Sequence, residues 1–333
     1  MELILTIAII IAISLSLKLI AKNTNIPSVV VLIAGGLIIG VPSIKQALIE
    51  PNTEIVLLLG KIGLFCLMFL AGMETSWRKL YKEKKDATAI AIAGAIMPFL
   101  LGFIVLLLIG VEPWIAATTG VIMSVTAEAT KARVLLELKK LKTKVGSAMM
   151  GAGIIDDLIG LTVFTAIAFI NNFQIEENLV TLGIIAAFFA GLGIRNFLKR
   201  EHFLKTTEHA LFLIVPFFFI SIGLHFEFSA LVLSPLIILA IVILGFAGKM
   251  AGPLLSKHYT DFNYRQLYLV GWAMNSRGAV GLGLAVIALQ QGLIGKDIYS
   301  GLVIMALLTT LTFPFVIRKI VNKNPKIMNK QKK

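Results

Sequence analysis

The stretch AGIIDDLIGL, residues 152–161, places two adjacent aspartates, Asp156 and Asp157, inside a long apolar run. Residues 145–155 and 158–170 flank the pair and are almost entirely apolar or small. A carboxylate at the centre of a bilayer costs roughly 2.5–3.5 kcal/mol on insertion scales, and such residues mark ion or proton pathways. The pair therefore predicts a transmembrane helix that carries a functional site.

The composition of the whole chain is typical of a membrane protein. Of its 333 residues, 58% are hydrophobic and only 15% are charged, against about 25% charged residues in ordinary soluble domains. The net charge of +13 would suggest nucleic-acid binding in a soluble protein. Here most basic residues lie in loops between apolar stretches, so we expect a lipid bilayer and no nucleic acid as partner. The single Cys66 excludes a disulfide or a cysteine-based metal site within one chain.

The hydropathy pattern predicts an all-α polytopic membrane protein with about eleven transmembrane spans. The predicted spans cover residues 3–20, 28–40, 54–73, 87–110, 113–138, 144–170, 179–198, 207–224, 232–256, 265–290 and 298–320. Cytoplasmic loops carry an excess of lysine and arginine. With the loop at 77–86 in the cytoplasm, 24 of the 31 basic residues fall on that side. This predicts a cell-membrane protein with its N-terminus outside and a basic cytoplasmic tail at residues 321–333.

Two Phe-rich segments indicate an internal repeat. GLFCLMFLAGMET at 63–75 resembles VPFFFISIGLHFE at 215–227, and each precedes one plain span and then a span with a polar interruption. The interruptions are SVTAEAT at 124–130 and NSRGAVG at 275–281. The copies are five spans apart, an odd number, so they have opposite orientations in the membrane. Inverted repeats with two discontinuous helices are typical of secondary transporters, whose sites lie near the bilayer midplane.

Each interruption leaves backbone groups unpaired at mid-membrane, and the ends of the helix fragments carry partial charges. Glu128 lies near the positive N-terminus of one fragment, and Arg277 lies near the negative C-terminus of the first half of the other broken span. Each charge has the sign that compensates its fragment end. Polar side chains are supplied by Ser124, Thr126, Thr130, Asn275 and Ser276. If the broken helices cross, these residues frame a polar site at the midplane.

The two aspartates are expected to have different roles. Neighbouring residues on a helix point about 100° apart, so one carboxylate faces a cation path while the other faces a neighbouring helix. Charge balance makes Lys249, in the ninth span, the natural partner of the second carboxylate. An oxygen site with a titrating carboxylate can hold either a small cation or a proton, which is the chemistry of antiport.

The chain resembles the monovalent cation:proton antiporter-2 family of the sodium/proton exchanger superfamily over nearly its whole length. The segments that carry the resemblance are PSVVVLIAGGLIIG (27–40), LMFLAGMET (67–75), SVTAEATKARVLLEL (124–138), GAGIIDDLIGL (151–161), PFFFISIGL (216–224) and MNSRGAVGL (274–282). The elements GIIDDLIG and RG, in this order, are the most specific of them.

The resemblance implies a secondary active antiporter, not an enzyme, that exchanges a monovalent cation for protons by alternating access. Na+ is the favoured cation, with Li+ and K+ as alternatives, and no cofactor is expected. By resemblance Asp157 is the ligand of the cation, Asp156 pairs with Lys249, and Thr126 lines the first broken helix. If the pair carries a second proton, exchange is electrogenic.

The resemblance also implies a homodimer of single transporter units. Its scaffold and dimer helices would lie at 1–73 and 179–224, and its mobile core at 87–170 and 232–320. Glu128 departs from the pattern of the group and predicts a third carboxylate at the site. Two lysines, Lys61 and Lys131, are equal candidates for its partner.

Two other classes share parts of the pattern. An intramembrane aspartic protease needs two aspartates that meet across an active site, whereas Asp156 and Asp157 diverge on one helix. A sodium-coupled organic-anion symporter can have the same inverted repeat with crossed helices. It would lack the aspartate–lysine set, so the presence of Lys249 favours the antiporter.

Overall fold

The computed structural model of the chain describes residues 3–24, 26–74, 84–171, 175–195 and 200–329. Within these residues all regular structure is helical, which confirms the predicted all-α class. The α-helices are α1 (Leu3–Thr24), α2 (Ser28–Gly40), α3 (Pro42–Leu48), α4 (Thr53–Glu74), α5 (Lys84–Leu108), α6 (Pro113–Ser124), α7 (Glu128–Glu137), α8 (Lys144–Ile170), α9 (Ile175–Ile194), α10 (Arg200–Leu224), α11 (Ala230–Leu233), α12 (Pro235–Leu255), α13 (Tyr264–Met274), α14 (Ala279–Gln290) and α15 (Lys296–Lys323).

Each predicted span coincides with one of these helices or with two consecutive ones. Six helices in the described ranges are long and apolar enough to cross a membrane, and the number rises to eight if each of two bent helix pairs is one span. The bent pairs are α2 with α3, at 87°, and α13 with α14, at 48°. Shorter apolar helical segments occupy Leu182–Ile194 and Leu213–Leu224. The count of eleven spans and the inverted repeat stay predictions.

Helix α8 carries the aspartate pair and runs without a break for 27 residues. Thr143 caps its N-terminus, because its hydroxyl accepts a hydrogen bond from the backbone N–H of Gly146 at 3.1 Å. A helix of this length extends about 40 Å, which exceeds the roughly 30 Å hydrocarbon thickness of a bilayer. Asp156 and Asp157 lie near its middle. Their position at the bilayer midplane stays a prediction.

The chain folds as two compact units, each built from two separate stretches of sequence. The first unit comprises Met1–Glu74 and Glu176–Val232. In it α2 and α4 pack against α10. A Cβ atom at Gly223 would lie within 2.4 Å of the Gly36 backbone, so α2 and α10 touch through their main chains. Small residues that allow such close approach are common in membrane helix packing, because lipid provides no hydrophobic driving force between helices.

The second unit comprises Thr75–Ile175 and Leu233–Lys333. In it α5 packs against α6, α8 and α12, and α12 also packs against α13 and α15. A Cβ atom at Gly248 would lie 2.5 Å from the Cα atom of Pro98, so the backbones of α12 and α5 are in contact. These two helices are the plain spans that precede the two interrupted spans in the sequence.

The predicted basic tail at residues 321–333 is only partly a tail. Helix α15 continues to Lys323, and the next residues pack against other parts of the second unit. Lys140 Nζ donates to the carbonyl of Pro325 at 2.7 Å, Gln266 Nε2 donates to that of Ile327 at 2.9 Å, and Met328 is fully buried. Residues 330–333 lie outside the described ranges, as do residues 77–83 of the loop on which the predicted orientation rests.

Candidate functional site

The two polar interruptions are breaks between helices, and the breaks are joined by hydrogen bonds. Residues 125–127 separate α6 from α7, and residues 275–278 separate α13 from α14. The backbone N–H of Ala127 donates to the carbonyl of Ser276 at 2.8 Å, and the Ser276 hydroxyl donates to the carbonyl of Ala127 at 3.2 Å. Each broken helix thus supplies hydrogen-bond partners for some of the backbone groups of the other. Backbone groups inside a membrane need such partners, because the hydrocarbon offers none.

Asp156 is fully buried, and two other elements contact a single one of its oxygens. Lys249 Nζ, on α12, lies 2.6 Å from Asp156 Oδ2, and the Thr126 hydroxyl, in the first break, donates to the same oxygen at 2.5 Å. The Lys249 side chain is also fully buried. Two charges removed from water need close geometry and further hydrogen bonds to offset their desolvation. The structure thus brings together Asp156 and the lysine expected from charge balance.

Asp157 occupies the next position of α8 and has a different environment. The residue is 4% exposed, and its Oδ1 atom has no hydrogen-bond partner among the residues that the structure describes. The charged groups that act on it are Glu128, Asp156, Lys131 and Lys249, two of each sign. A buried carboxylate oxygen without a partner needs an explanation, such as a proton, a water molecule or an ion. Asp156 Oδ1 also lacks a hydrogen-bond partner among the described residues. The other oxygen of Asp156, however, is held by Lys249 and Thr126, so Asp157 is the open carboxylate of the two aspartates.

A second buried ion pair joins Glu128 and Lys131, both on α7. Lys131 Nζ lies 2.7 Å from Glu128 Oε1 and donates to the carbonyl of Met149 at 2.9 Å. The side chain of Lys131 is 1% exposed and that of Glu128 is 10% exposed. Of the two candidate partners for Glu128, the structure pairs it with Lys131. The other candidate, Lys61, lies on α4 in the first unit.

The role of Glu128 as a third carboxylate at the cation site stays a prediction. Across the described ranges, no group of three histidine, cysteine, aspartate or glutamate side chains is placed to hold a metal ion. Glu128 instead directs one oxygen at Lys131. Glu128 is also one of the charged groups that act on Asp157.

Arg277 compensates a different helix end from the one that we predicted. Its Nη1 atom donates to the carbonyls of Met123 and Val125, at 2.5 and 2.7 Å, and Nη2 donates to that of Gly245 at 2.9 Å. Met123 lies in the last turn of α6, and Val125 follows it. The expected place was the C-terminus of α13, the helix that precedes Arg277 in the chain. The long side chain crosses to the other broken helix and pairs with its freed carbonyls, where the helix end is negative.

Asn275 and Thr310 form hydrogen bonds with backbone groups around the second break. Asn275 Nδ2 donates to the carbonyl of Gly271 at 3.1 Å, in the last turn of α13. The hydroxyl of Thr310 accepts from the Arg277 N–H at 3.0 Å and donates to the Arg277 carbonyl at 2.9 Å. Thr310 was not among the predicted site residues, because hydroxyls are common in membrane helices. Its place in the last span, opposite an interrupted one, was the only available signal.

Comparison with known proteins gives a consistent result. The family model described as the transmembrane sodium/hydrogen exchanger matches residues 7–182 and 167–323. The chain is 27% identical to the Na(+)/H(+)-K(+) antiporter GerN of Bacillus cereus, over 92% of this chain and 93% of that protein. It is 26% identical to a Na(+)/H(+) antiporter of Enterococcus hirae, over 91% and 94% of the two chains.

A solved structure also has a similar fold. The sodium proton antiporter MjNhaP1 from Methanocaldococcus jannaschii aligns with a TM-score of 0.70 and 17% sequence identity. The alignment covers 97% of this chain and 98% of that one. At this identity the likeness concerns the fold alone.

Proposed function

The chain belongs to the transmembrane sodium/hydrogen exchanger family, and from this premise we propose that it is a secondary active antiporter that exchanges a monovalent cation for protons. It is a multi-pass membrane protein. The names of its relatives support Na+ as the cation, with K+ as an alternative. Li+ is a further alternative for a site of this kind. The observation that carries the proposal is Asp157, a buried carboxylate whose Oδ1 atom lacks a hydrogen-bond partner in the described structure, beside Asp156, whose Oδ2 atom is held by Lys249 and Thr126.

In the proposed cycle Asp157 binds the cation and the proton in alternation. Carboxylate oxygens are hard ligands that suit small cations, and protonation of Asp157 removes the charge that holds the ion. The two substrates therefore exclude each other at one group. Asp156 has another task, since its Oδ2 atom is engaged by Lys249 and Thr126. We propose that this pair fixes the position of α8 and carries the second proton of the cycle.

We further propose that the second unit is the mobile core and that the first unit is the scaffold of a homodimer. Within the described part of the chain, every residue that we assign to the site lies in the second unit, which supports its role as the core. Alternating access then requires movement of this unit with its ion. We place the protein in the cell membrane with its N-terminus outside, because that orientation puts most basic residues in the cytoplasm.

The test is ion-driven proton movement in proteoliposomes of purified protein, measured with a trapped pH-sensitive dye. Na+, Li+ and K+ are added in turn, with choline as the inert cation. Asp157→Asn should abolish the response, because Asn keeps the shape of the side chain but can neither titrate nor supply charge. Asp297→Asn, at the start of α15, is the matched control and should retain it. Substantial Na+/H+ exchange by folded Asp157→Asn protein would refute the ligand assignment. Na+-driven substrate uptake without proton movement would favour the symporter.

A further inference from the structure

The ion pair of Glu128 and Lys131 has no part in the exchange cycle proposed above. Both residues belong to α7, and both are largely removed from solvent. A buried ion pair is weak evidence for stability, because the loss of hydration by two charges offsets much of their attraction. Apolar side chains of similar volume often stabilise such a position as well or better. The pair is therefore a candidate for a role in ion handling.

The pair lies against the same face of α8 as Asp157. A Cβ atom at Gly153 would overlap the Glu128 carboxylate and lie 2.7 Å from Lys131 Nζ, so Gly153 leaves the space that the pair occupies. Gly153 and Asp157 are four residues apart, so they share a helix face and are separated by about 6 Å along the axis. The pair thus stands one helical turn from the open carboxylate, towards the N-terminus of α8.

The surroundings of the Lys131 ammonium resemble those of a bound monovalent cation. Its nearest partners are Glu128 Oε1 at 2.7 Å and the Met149 carbonyl at 2.9 Å, with Met274 Sδ at 3.7 Å. Carboxylate and main-chain carbonyl oxygens are the ligands that hard cations take in proteins. An ammonium and a monovalent cation also carry the same charge, so one can replace the other without altering the charge of the core.

We propose that the Lys131 ammonium is a tethered substitute for a monovalent cation, and that Glu128 and the Met149 carbonyl form a second cation site which it keeps closed. In the wild type, Lys131 then limits the core to one free cation, at Asp157. Without the ammonium, the charge of Glu128 draws a free cation to the same oxygens. The inference rests on the proposed function for the choice of ions, but not for the existence of the site.

The test measures the melting temperature of purified full-length protein in NaCl, KCl or choline chloride at constant ionic strength. Asp157→Asn should remove the rise in melting temperature that Na+ gives the wild type. Lys131→Met in that background should restore a saturable rise, about 3 °C at a cation concentration ten times the dissociation constant. A further Glu128→Gln change should remove the rise again, because the site then has no charge. Bound ²²Na+ per chain should be higher in Lys131→Met alone than in the wild type.

Each arm separates the second site from the proposed function. A folded Asp157→Asn/Lys131→Met protein that does not respond to either salt would overturn the second site. An Asp157→Asn protein with the wild-type response would contradict the proposed function, and the additional ²²Na+ bound by Lys131→Met would then decide the second site alone. Lys131→Met could prove unfolded in choline chloride. In that case either NaCl or KCl should stabilise it, and failure of both salts to do so would refute the proposal. Glu128→Gln/Lys131→Met, which removes both charges, is the folding control.

Discussion

Lys249 Nζ and Asp156 Oδ2 lie 2.6 Å apart, and neither side chain has any exposed surface. In such a place neither charge has water to stabilise it, so each depends on the other. The Thr126 hydroxyl donates to the same oxygen and completes its surroundings. This ion pair has consequences both for the stability of the protein and for the charge that is moved across the membrane in each exchange cycle.

Loss of the Lys249 ammonium should destabilise the protein. Lys249→Gln leaves Asp156 as a buried charge without its cation, which typically costs about 3–5 kcal/mol. The measurement is thermal unfolding of the purified protein. Asp156→Asn/Lys249→Gln removes both charges and should recover most of the loss. Equal stability of the single variant and the wild type would show that the pair is not charged in the folded state.

Exchange should respond to an imposed membrane potential. If Asp157 carries one proton and the Asp156–Lys249 pair carries a second, one elementary charge crosses in each cycle, which corresponds to about 2.3 kcal/mol per 100 mV. Lys249→Gln should lose much of this response, even where some exchange survives. The measurement is Na+/H+ exchange in proteoliposomes with the potential set by potassium and valinomycin.

The wild type and the Lys249→Gln variant test different parts of this scheme. A wild type that is indifferent to voltage would rule out the exchange of two protons for one cation. A Lys249→Gln protein as voltage-sensitive as the wild type would leave the stoichiometry standing but reduce Lys249 to a structural partner of Asp156. Asp156→Asn/Lys249→Gln controls for the stability lost in the single variant.

The sequence predicted contacts that depend on charge balance better than those that depend on how helices cross. Few charged residues lie within the apolar spans, so a buried carboxylate had few available partners, and Lys249 was selected on this ground. Arg277 also had the expected task of compensating a helix end. Arg277 instead reaches the carbonyls of Val125 and Met123, which precede it in the chain by 152 and 154 positions. No local pattern gives that crossing.

The partner of Glu128 could not be chosen from the sequence, because the boundaries of the helix fragments were not known. The spacing of Glu128 and Lys131 is the i,i+3 spacing of neighbours on a helix, but the interruption at 124–130 did not show where the second fragment begins. With α7 known to begin at Glu128, Lys131 becomes the local choice over Lys61. The burial of Met328 was missed for a related reason. Apart from Ile327, its neighbours in the sequence are polar or basic, so only tertiary packing reveals its burial.

Proton and cation should compete for the same site. Both bind the Asp157 carboxylate in the proposed cycle, so lower pH should raise the apparent half-saturation constant for Na+ and leave the maximal rate less affected. The measurement is initial rates in proteoliposomes over a range of Na+ concentrations at several equal internal and external pH values. A half-saturation constant that is independent of pH would exclude simple competition.

Close contact between α5 and α12 should make the core sensitive to one added methyl group. A Cβ atom at Gly248 would lie 2.5 Å from Pro98 Cα and 2.7 Å from Pro98 N, and backbone atoms cannot move aside as side chains do. Gly248→Ala should therefore destabilise the protein by about 1–3 kcal/mol. Thermal unfolding of the purified variant, with proteoliposome exchange as a second readout, measures the effect.

Gly94→Ala is the matched control, because Gly94 lies on α5, in the same unit as Gly248. Its added Cβ would meet only Met274 Cε, at an ordinary contact distance of 3.6 Å. Alanine is a better helix former than glycine, by roughly 0.5–1 kcal/mol, so this change should be neutral or stabilising. If Gly248→Ala proved as stable as Gly94→Ala, with full exchange activity, the backbone contact between α5 and α12 would not be a feature of the folded core.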